Sequence, residues 1–154
     1  MKALTLDIKP QDGLGSLKFG MTTAQAIEIV GKPDDEELLD DDELAETLIY
    51  HYDEQDISLF FEGESDKKIL VNIETDNPDA TMYGKKVFAL KRDEIIVMMK
   101  GKGFEDMDTE VHEDDHEYPD ENRVSFDEAM IDFFFEGEIL TAVSWGEFPF
   151  DEEE

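Results

Sequence analysis

The sequence predicts an α+β fold: two tandem helix-plus-antiparallel-meander repeats forming one sheet, with the helices packed on one face. Three observations predict it. A phrase occurs twice, as Phe60-Phe61-Glu62-Gly63-Glu64 and as Phe134-Phe135-Glu136-Gly137-Glu138. The match runs back through Tyr52-Asp53-Glu54 and Ile57 in one copy and Phe126-Asp127-Glu128 and Ile131 in the other, and forward into Ile69-Leu70 and Ile139-Leu140. Each copy lies in period-2 apolar alternation, and a short stretch of helical period precedes each.

In chain order, Leu4, Leu6 and Ile8 alternate with Thr5 and Asp7 as a first strand, and Lys9-Pro10-Gln11-Asp12-Gly13 has the composition of a turn. Leu14 to Gly20 reads as extended or looped. Thr22 or Thr23 caps a short helix whose apolar face is Ala24, Ile27 and Val30; Gly31 stops it and Pro33 prevents its return. Asp34 to Glu46 reads as a solvated acidic loop, or a loose helical turn pinned by Leu38, Leu39 and Leu44. The alternations Leu48-Tyr50-Tyr52, Ile57-Leu59-Phe61 and Ile69-Val71-Ile73 then form a β-meander. A loop around Pro78 divides the repeats. Lys91 to Lys100 is the second helix, ended by Gly101 and Gly103, and Phe88-Ala89-Leu90 before it looks equivalent to Phe19-Gly20-Met21 before the first. Glu105 to Asn122 is polar. Val124 and Phe126 begin the second meander, Ile131, Phe133 and Phe135 continue it, and Thr141, Val143 and Trp145 end it. The chain is thus read as one domain, residues 1–154, of two repeats at about 14–77 and 80–148, with an acidic tail at 149–154; a fused sheet would have about six to eight strands.

The chain has 154 residues, 13 Lys and Arg against 43 Asp and Glu, and a formal charge of −30. That balance leans towards disorder, but 11 Phe in period-2 runs supply a buried sheet face. Cysteine is absent, so there is neither a disulfide framework nor a thiolate metal site. The opening residues do not form a secretory apolar core and no apolar run spans a membrane, so a cytoplasmic location is expected. The charge repels nucleic acid and anionic membranes and suits a basic protein partner. It equally suits solubility or a salty milieu, although 11 Lys against two Arg does not fit a low-lysine salt-adapted surface.

Chemistry is sparse. Ser16, Ser58, Ser65, Ser125 and Ser144 sit in no nucleophile elbow, no glycine loop cradles phosphate, and no window fits an EF-hand. His112 and His116 flank acids at helical spacing without the zinc-protease order, and a metal-dependent enzyme would have to use them. The expectation is no catalysis, no cofactor and no metal. For partner binding, the candidates are the acids Asp34, Asp35, Asp40, Asp41, Asp42 and Glu43 with the aromatics Tyr50, Tyr52, Phe60, Phe134 and Trp145. In a strand Phe60 and Phe134 point away from Phe61 and Phe135, so one of each pair lies on the second sheet face, where Tyr or Trp neighbours would join it.

Leu17-Lys18-Phe19-Gly20-Met21-Thr22, the short helix, and Gly31-Lys32-Pro33 resemble the phrase that opens helix-then-meander repeats in the β-lactamase-inhibitor-protein-like fold and the SmpA/OmlA family. Tyr83 to Leu90 followed by a helix is similar to small bacterial immunity proteins. The resemblance implies tight, one-to-one inhibition of a toxin domain. With the acidic charge, the expected partner is a basic toxin domain, such as a nuclease, and the protein alone is expected to be a monomer or weak dimer. The sequence lacks the lipoprotein leader and cysteine of the envelope family, and no contact residues carry over.

Overall fold

A computed structural model of the chain describes residues 6–39, 46–63, 67–111 and 121–146. It opens with a three-stranded antiparallel sheet, β1 (Ile8–Lys9), β2 (Gly13–Leu14) and β3 (Leu17–Lys18). The turn read at Lys9 to Gly13 is closed by the Asp12 amide donating to the Lys9 carbonyl at 3.0 Å. Helix α1 (Thr23–Val30) starts in a capping box, in which the Gln25 amide donates to the Thr22 hydroxyl and the Thr22 amide to the Gln25 side chain. Gly31, at φ 100°, ends it. Four strands follow: β4 (Asp35–Leu39), β5 (Glu46–Tyr52), β6 (Ile57–Gly63) and β7 (Ile69–Thr75). A hairpin of β8 (Thr81–Met82) and β9 (Lys85–Lys86) and a 3-10 turn, Val87–Ala89, lead to helix α2 (Arg92–Gly101). The last four strands are β10 (Met107–Val111), β11 (Glu121–Phe126), β12 (Ile131–Glu136) and β13 (Ile139–Gly146).

The described residues therefore form an α+β protein with two helices, one eight-stranded antiparallel sheet in the order β10-β11-β12-β13-β7-β6-β5-β4, and two small sheets. Each meander has four strands, one more than the alternation pattern shows. The additional strands, β4 and β10, are the sheet edges and fall in the stretch read as an acidic loop or loose helical turn and in the stretch read as polar. Asp35, Glu36, Glu37 and Asp108 have low strand propensity and little apolar alternation. Pairing to β5 and β11 overrides that. Charges on an exposed edge also deter pairing with another chain.

The two meanders meet at one seam, β7 against β13, with Thr75 opposite Val143, Ser144 opposite Glu74, Ile73 opposite Trp145 and Asn72 opposite Gly146. Within each meander Leu59 faces Ile73 as Phe133 faces Val143, and Ile57 faces Thr75 as Ile131 faces Trp145. Ile73 thus corresponds to Val143 and Thr75 to Trp145, and across the seam each meets the other's counterpart. That is a pseudo-two-fold relation. The register shifts of the recurring phrase match as well, falling between Phe60 and Phe61 and between Phe134 and Phe135. Thr22, before α1, bridges Ile69, and Lys91, before α2, bridges Ile139.

Residues directly opposite in an antiparallel pair share a face. One face carries Tyr50, Tyr52, Ile57, Leu59, Phe61, Ile73, Val143, Trp145, Phe133 and Phe135, all buried in one cluster with Ala26 and Val30 of α1 and Ile95 and Met99 of α2. The Trp145 indole donates to the Gly13 carbonyl at 2.9 Å, and the Tyr52 hydroxyl donates to the Gly31 carbonyl at 2.8 Å. Each bond satisfies a polar tip that burial would otherwise leave costly.

The seam leaves no room at Gly146. A Cβ there would lie 2.4 Å from the Val71 carbonyl oxygen and 2.6 Å from Asn72 Oδ1. Gly146→Ala is expected to destabilise the fold by about 1–3 kcal/mol or more through overpacking. Trp145→Phe, which removes the indole bond to the Gly13 carbonyl and part of a buried ring, should cost about 1 kcal/mol or more. Urea denaturation reads both, and an unshifted midpoint for Gly146→Ala would contradict so close a seam.

Candidate functional site

The second sheet face carries what the core does not use. Its apolar residues, including Ile49, Phe60, Phe134 and Ala142, stand outside the cluster that includes the helices. Phe60 lies between Ile49 and Asn72 in register, and Phe134 between Arg123 and Ala142. Both rings are half-buried. Between them one polar row crosses all eight strands: Asp35, His51, Ser58, Glu74, Ser144, Asp132, Ser125 and Asp108. Seven strand spacings make it roughly 34 Å long.

Part of the row is joined by hydrogen bonds. His51 Nδ1 is 3.0 Å from Ser58 Oγ, and His51 Nε2 is 3.2 Å from Glu37 Oε1. With the proton on Nε2, the imidazole donates to Glu37 and accepts from the serine. Asn72 Nδ2 donates to Ser144 Oγ at 2.9 Å. At the end of the face where β5 turns into β6, a cavity of about 370 Å³ opens between His51, Ser58, Phe60, Glu74 and Asp76. Burial, then the Asp76 charge, raises the Glu74 carboxyl above its ordinary range, and His51 partly offsets this. At the far end of the row, burial and the neighbouring Asp108, Asp132 and Asp106 raise Asp127 in the same direction.

The connectivity Glu37–His51–Ser58 is that of a nucleophile, its base and an orienting acid. The surroundings oppose acyl transfer. Asp53, Asp56, Glu74 and Asp76 line the same cavity and would repel a developing oxyanion. Among the described residues no group of three or more His, Asp or Glu is arranged to hold a metal ion, and no helix is long and apolar enough to cross a membrane.

The residues expected to meet a partner divide. Phe60 and Phe134 lie on the second face. Tyr50, Tyr52 and Trp145 do not join them. They are 6%, 3% and 0% exposed, on the core face. The register explains the correction, because Tyr50 pairs with Leu59, Tyr52 with Ile57 and Trp145 with Ile131, each a core residue. Burial accordingly pushes the phenols of Tyr50 and Tyr52 up, with Glu36 adding to both. Asp34 has a local structural task, its carboxylate accepting from the Asp53 amide at 2.6 Å. Asp35 is exposed on the β4 edge. Asp40, Asp41, Asp42 and Glu43 lie outside the described residues, as do His112, His116 and the tail at 149–154. The sequence reading missed His51, Ser58 and Glu74 as a group. Alternation with Tyr50, Leu59 and Ile73 was the available signal that all three share the second face. Their juxtaposition needs the strand register.

The sequence matches no protein-family model and no curated protein. A solved structure that it resembles is an extracellular protein containing an SCP domain from Bacillus anthracis str. Ames, at TM-score 0.49 and 11% identity, covering 96% of this chain and 49% of the other. The chain spans about half the length of that protein.

The raised carboxyls fix the sign of a pH effect. A carboxyl that holds its proton more tightly when folded contributes stability below its unfolded pKa and loses it as pH rises through the folded value. Glu74, facing Asp76, His51 and Asp56, and Asp127, facing Asp106, Asp108 and Asp132, both have this sign. The melting temperature is expected to rise as pH falls from neutrality into the range where these groups protonate ahead of ordinary carboxylates. Glu74→Gln should shrink that rise. Calorimetry across this range decides it, and a steady fall in Tm would contradict the assignment.

Proposed function

We propose that the chain is a non-enzymatic acidic binding protein that holds a basic protein partner on the second face of its sheet. More specifically, we propose a cytoplasmic immunity or inhibitor protein that neutralises a basic toxin domain one-to-one, binds neither nucleic acid nor membrane directly, and is a monomer or weak dimer alone. Its architecture is proposed to be one domain of two repeats, about 14–77 and 80–148, with both helices on the core side of the shared sheet.

One observation carries this reading. Two half-buried phenylalanines stand on a face that joins neither helix, amid carboxylates from Asp35 to Asp108, in a chain of formal charge −30. Carboxylates speed encounter with a positive surface and exclude anionic competitors; aromatic anchors slow release. A second reading, a structural domain whose acidity serves salt tolerance or solubility, is favoured by the acids at β4 and β10, which protect sheet edges. It predicts a Tm that climbs with salt in a protein that holds no partner.

Tagged protein should retain one basic protein at a one-to-one ratio at low salt, and expression of the chain should relieve that protein's toxicity. Phe60→Ser with Phe134→Ser should keep the fold and weaken retention by about tenfold or more, as for hot-spot aromatics. Indiscriminate retention of many basic proteins, equal for wild type and variant, would contradict the proposal.

A further inference from the structure

The two meanders agree where they build the core and differ at one end of the second face. Ile57, Phe61 and Leu70 correspond to Ile131, Phe135 and Leu140. The turns into β6 and β12 correspond too: Asp56 and Met130 have φ 56° and 55°, the Asp76 amide donates to the Asp56 carbonyl at 3.3 Å, and the Gly146 amide donates to the Met130 carbonyl at 3.0 Å. On this shared backbone the first meander carries His51, Asp56, Glu74 and Asp76. The second carries Ser125, Met130, Ser144 and Gly146 in their places. Core packing does not require the first set, because the second set supports the same backbone without it.

The first set lines the 370 Å³ cavity, together with Asp53 and the apolar wall of Phe60, Ile57 and Ala142. No lysine or arginine is among its lining residues. Glu74 is half-buried at the seam, opposite Ser144, and its carboxylate takes no hydrogen bond or ion pair from any described residue. A partly desolvated charge that His51 offsets only in part is destabilising unless a further partner arrives. The cavity rim is held in place beforehand. The Thr75 hydroxyl donates to the Asp56 carbonyl at 2.8 Å, and Asn77 Nδ2 donates to the Gln55 carbonyl at 2.8 Å. A backbone fixed in this way loses little entropy on binding.

We propose that this cavity receives one arginine side chain of the basic partner, the guanidinium pairing with Glu74 and Asp76 and stacking along Phe60. The assignment rests on the reading that the second face docks a basic protein, and it names the residue type that anchors it. A guanidinium is planar, weakly hydrated and able to pair with carboxylate while lying on an aromatic ring. A lysine ammonium is more strongly hydrated and fits a half-apolar pocket less well.

The test titrates 15N-labelled full-length protein with the capped tripeptides Gly-Arg-Gly, Gly-Lys-Gly and Gly-citrulline-Gly, citrulline being the neutral isostere of arginine. The arginine peptide should shift the amides of residues 51–60 and 73–77 and the His51 ring, and the citrulline peptide should not. Glu74→Gln should weaken arginine binding at least tenfold while its Tm at pH 7 does not fall, which separates a ligand role from a structural one. Glu28→Gln, on the exposed side of α1, should bind as wild type does. Shifts spread evenly over the acidic surface, equal response to citrulline, a preference for lysine, or an unaffected Glu74→Gln would each overturn the assignment. If Glu74→Gln still holds the basic partner undiminished while the Phe60 and Phe134 variant releases it, the arginine pocket falls and the docking face stands. If the arginine peptide seats in the cavity but no basic protein is retained, the pocket stands as a cation site and the docking reading falls.

Discussion

The pairing of β7 with β13 is the constraint on which the rest depends. Each meander alone is a four-stranded sheet with one apolar face, and a short helix covers little of it. Joining the last strand of each aligns the two apolar faces and lets α1, α2 and the small sheets close over one cluster. The seam is short, four residue pairs, and it is tight because Gly146 has no side chain. Trp145, one residue before, reaches across to Gly13 and ties the end of the second meander to the first hairpin. Without the seam there is no common core and no continuous second face.

The same pairing creates a division of labour. Most positions on the core face carry similar apolar residues in both halves, as Ile57, Phe61 and Leu70 match Ile131, Phe135 and Leu140, although Thr75 stands where the other half has Trp145. Positions on the other side are free to diverge, and they have done so unequally. The first half gathers carboxylates, a histidine and an aromatic wall around a cavity, and the second presents Ser125, Met130, Ser144 and Gly146 at the places of His51, Asp56, Glu74 and Asp76. Antiparallel sheets tolerate a polar second face, so this divergence costs the fold little. The acids at β4 and β10 serve another purpose, protecting the sheet edges, so the charge of −30 is not all devoted to one surface.

Much of the fold is legible in the sequence because the repeat and the period-2 runs are local signals. The phrase around Phe60 and Phe134, the Thr22 cap, the Gly31 stop and the placing of Phe60 and Phe134 on the opposite face from Phe61 and Phe135 all follow from short windows. The edge strands do not, since Asp35 to Leu39 and Met107 to Val111 are strands only through their neighbours. Alternation assigns Tyr50, Tyr52 and Trp145 to a face, but only the register shows that it is the face of Leu59, Ile57 and Ile131. The cavity is non-local too. His51, Ser58 and Glu74 belong to three strands, and their adjacency depends on two hairpin registers that the sequence does not print.

The central claim is that charge brings a basic partner to the second face and that contact there holds it. The direct measurement is the association and dissociation rate of the purified complex across ionic strength. The account predicts an association rate that falls steeply as salt rises, by tenfold or more for strong steering, while dissociation changes little. An association rate indifferent to salt, or a complex that salt disrupts chiefly by faster dissociation, would contradict it.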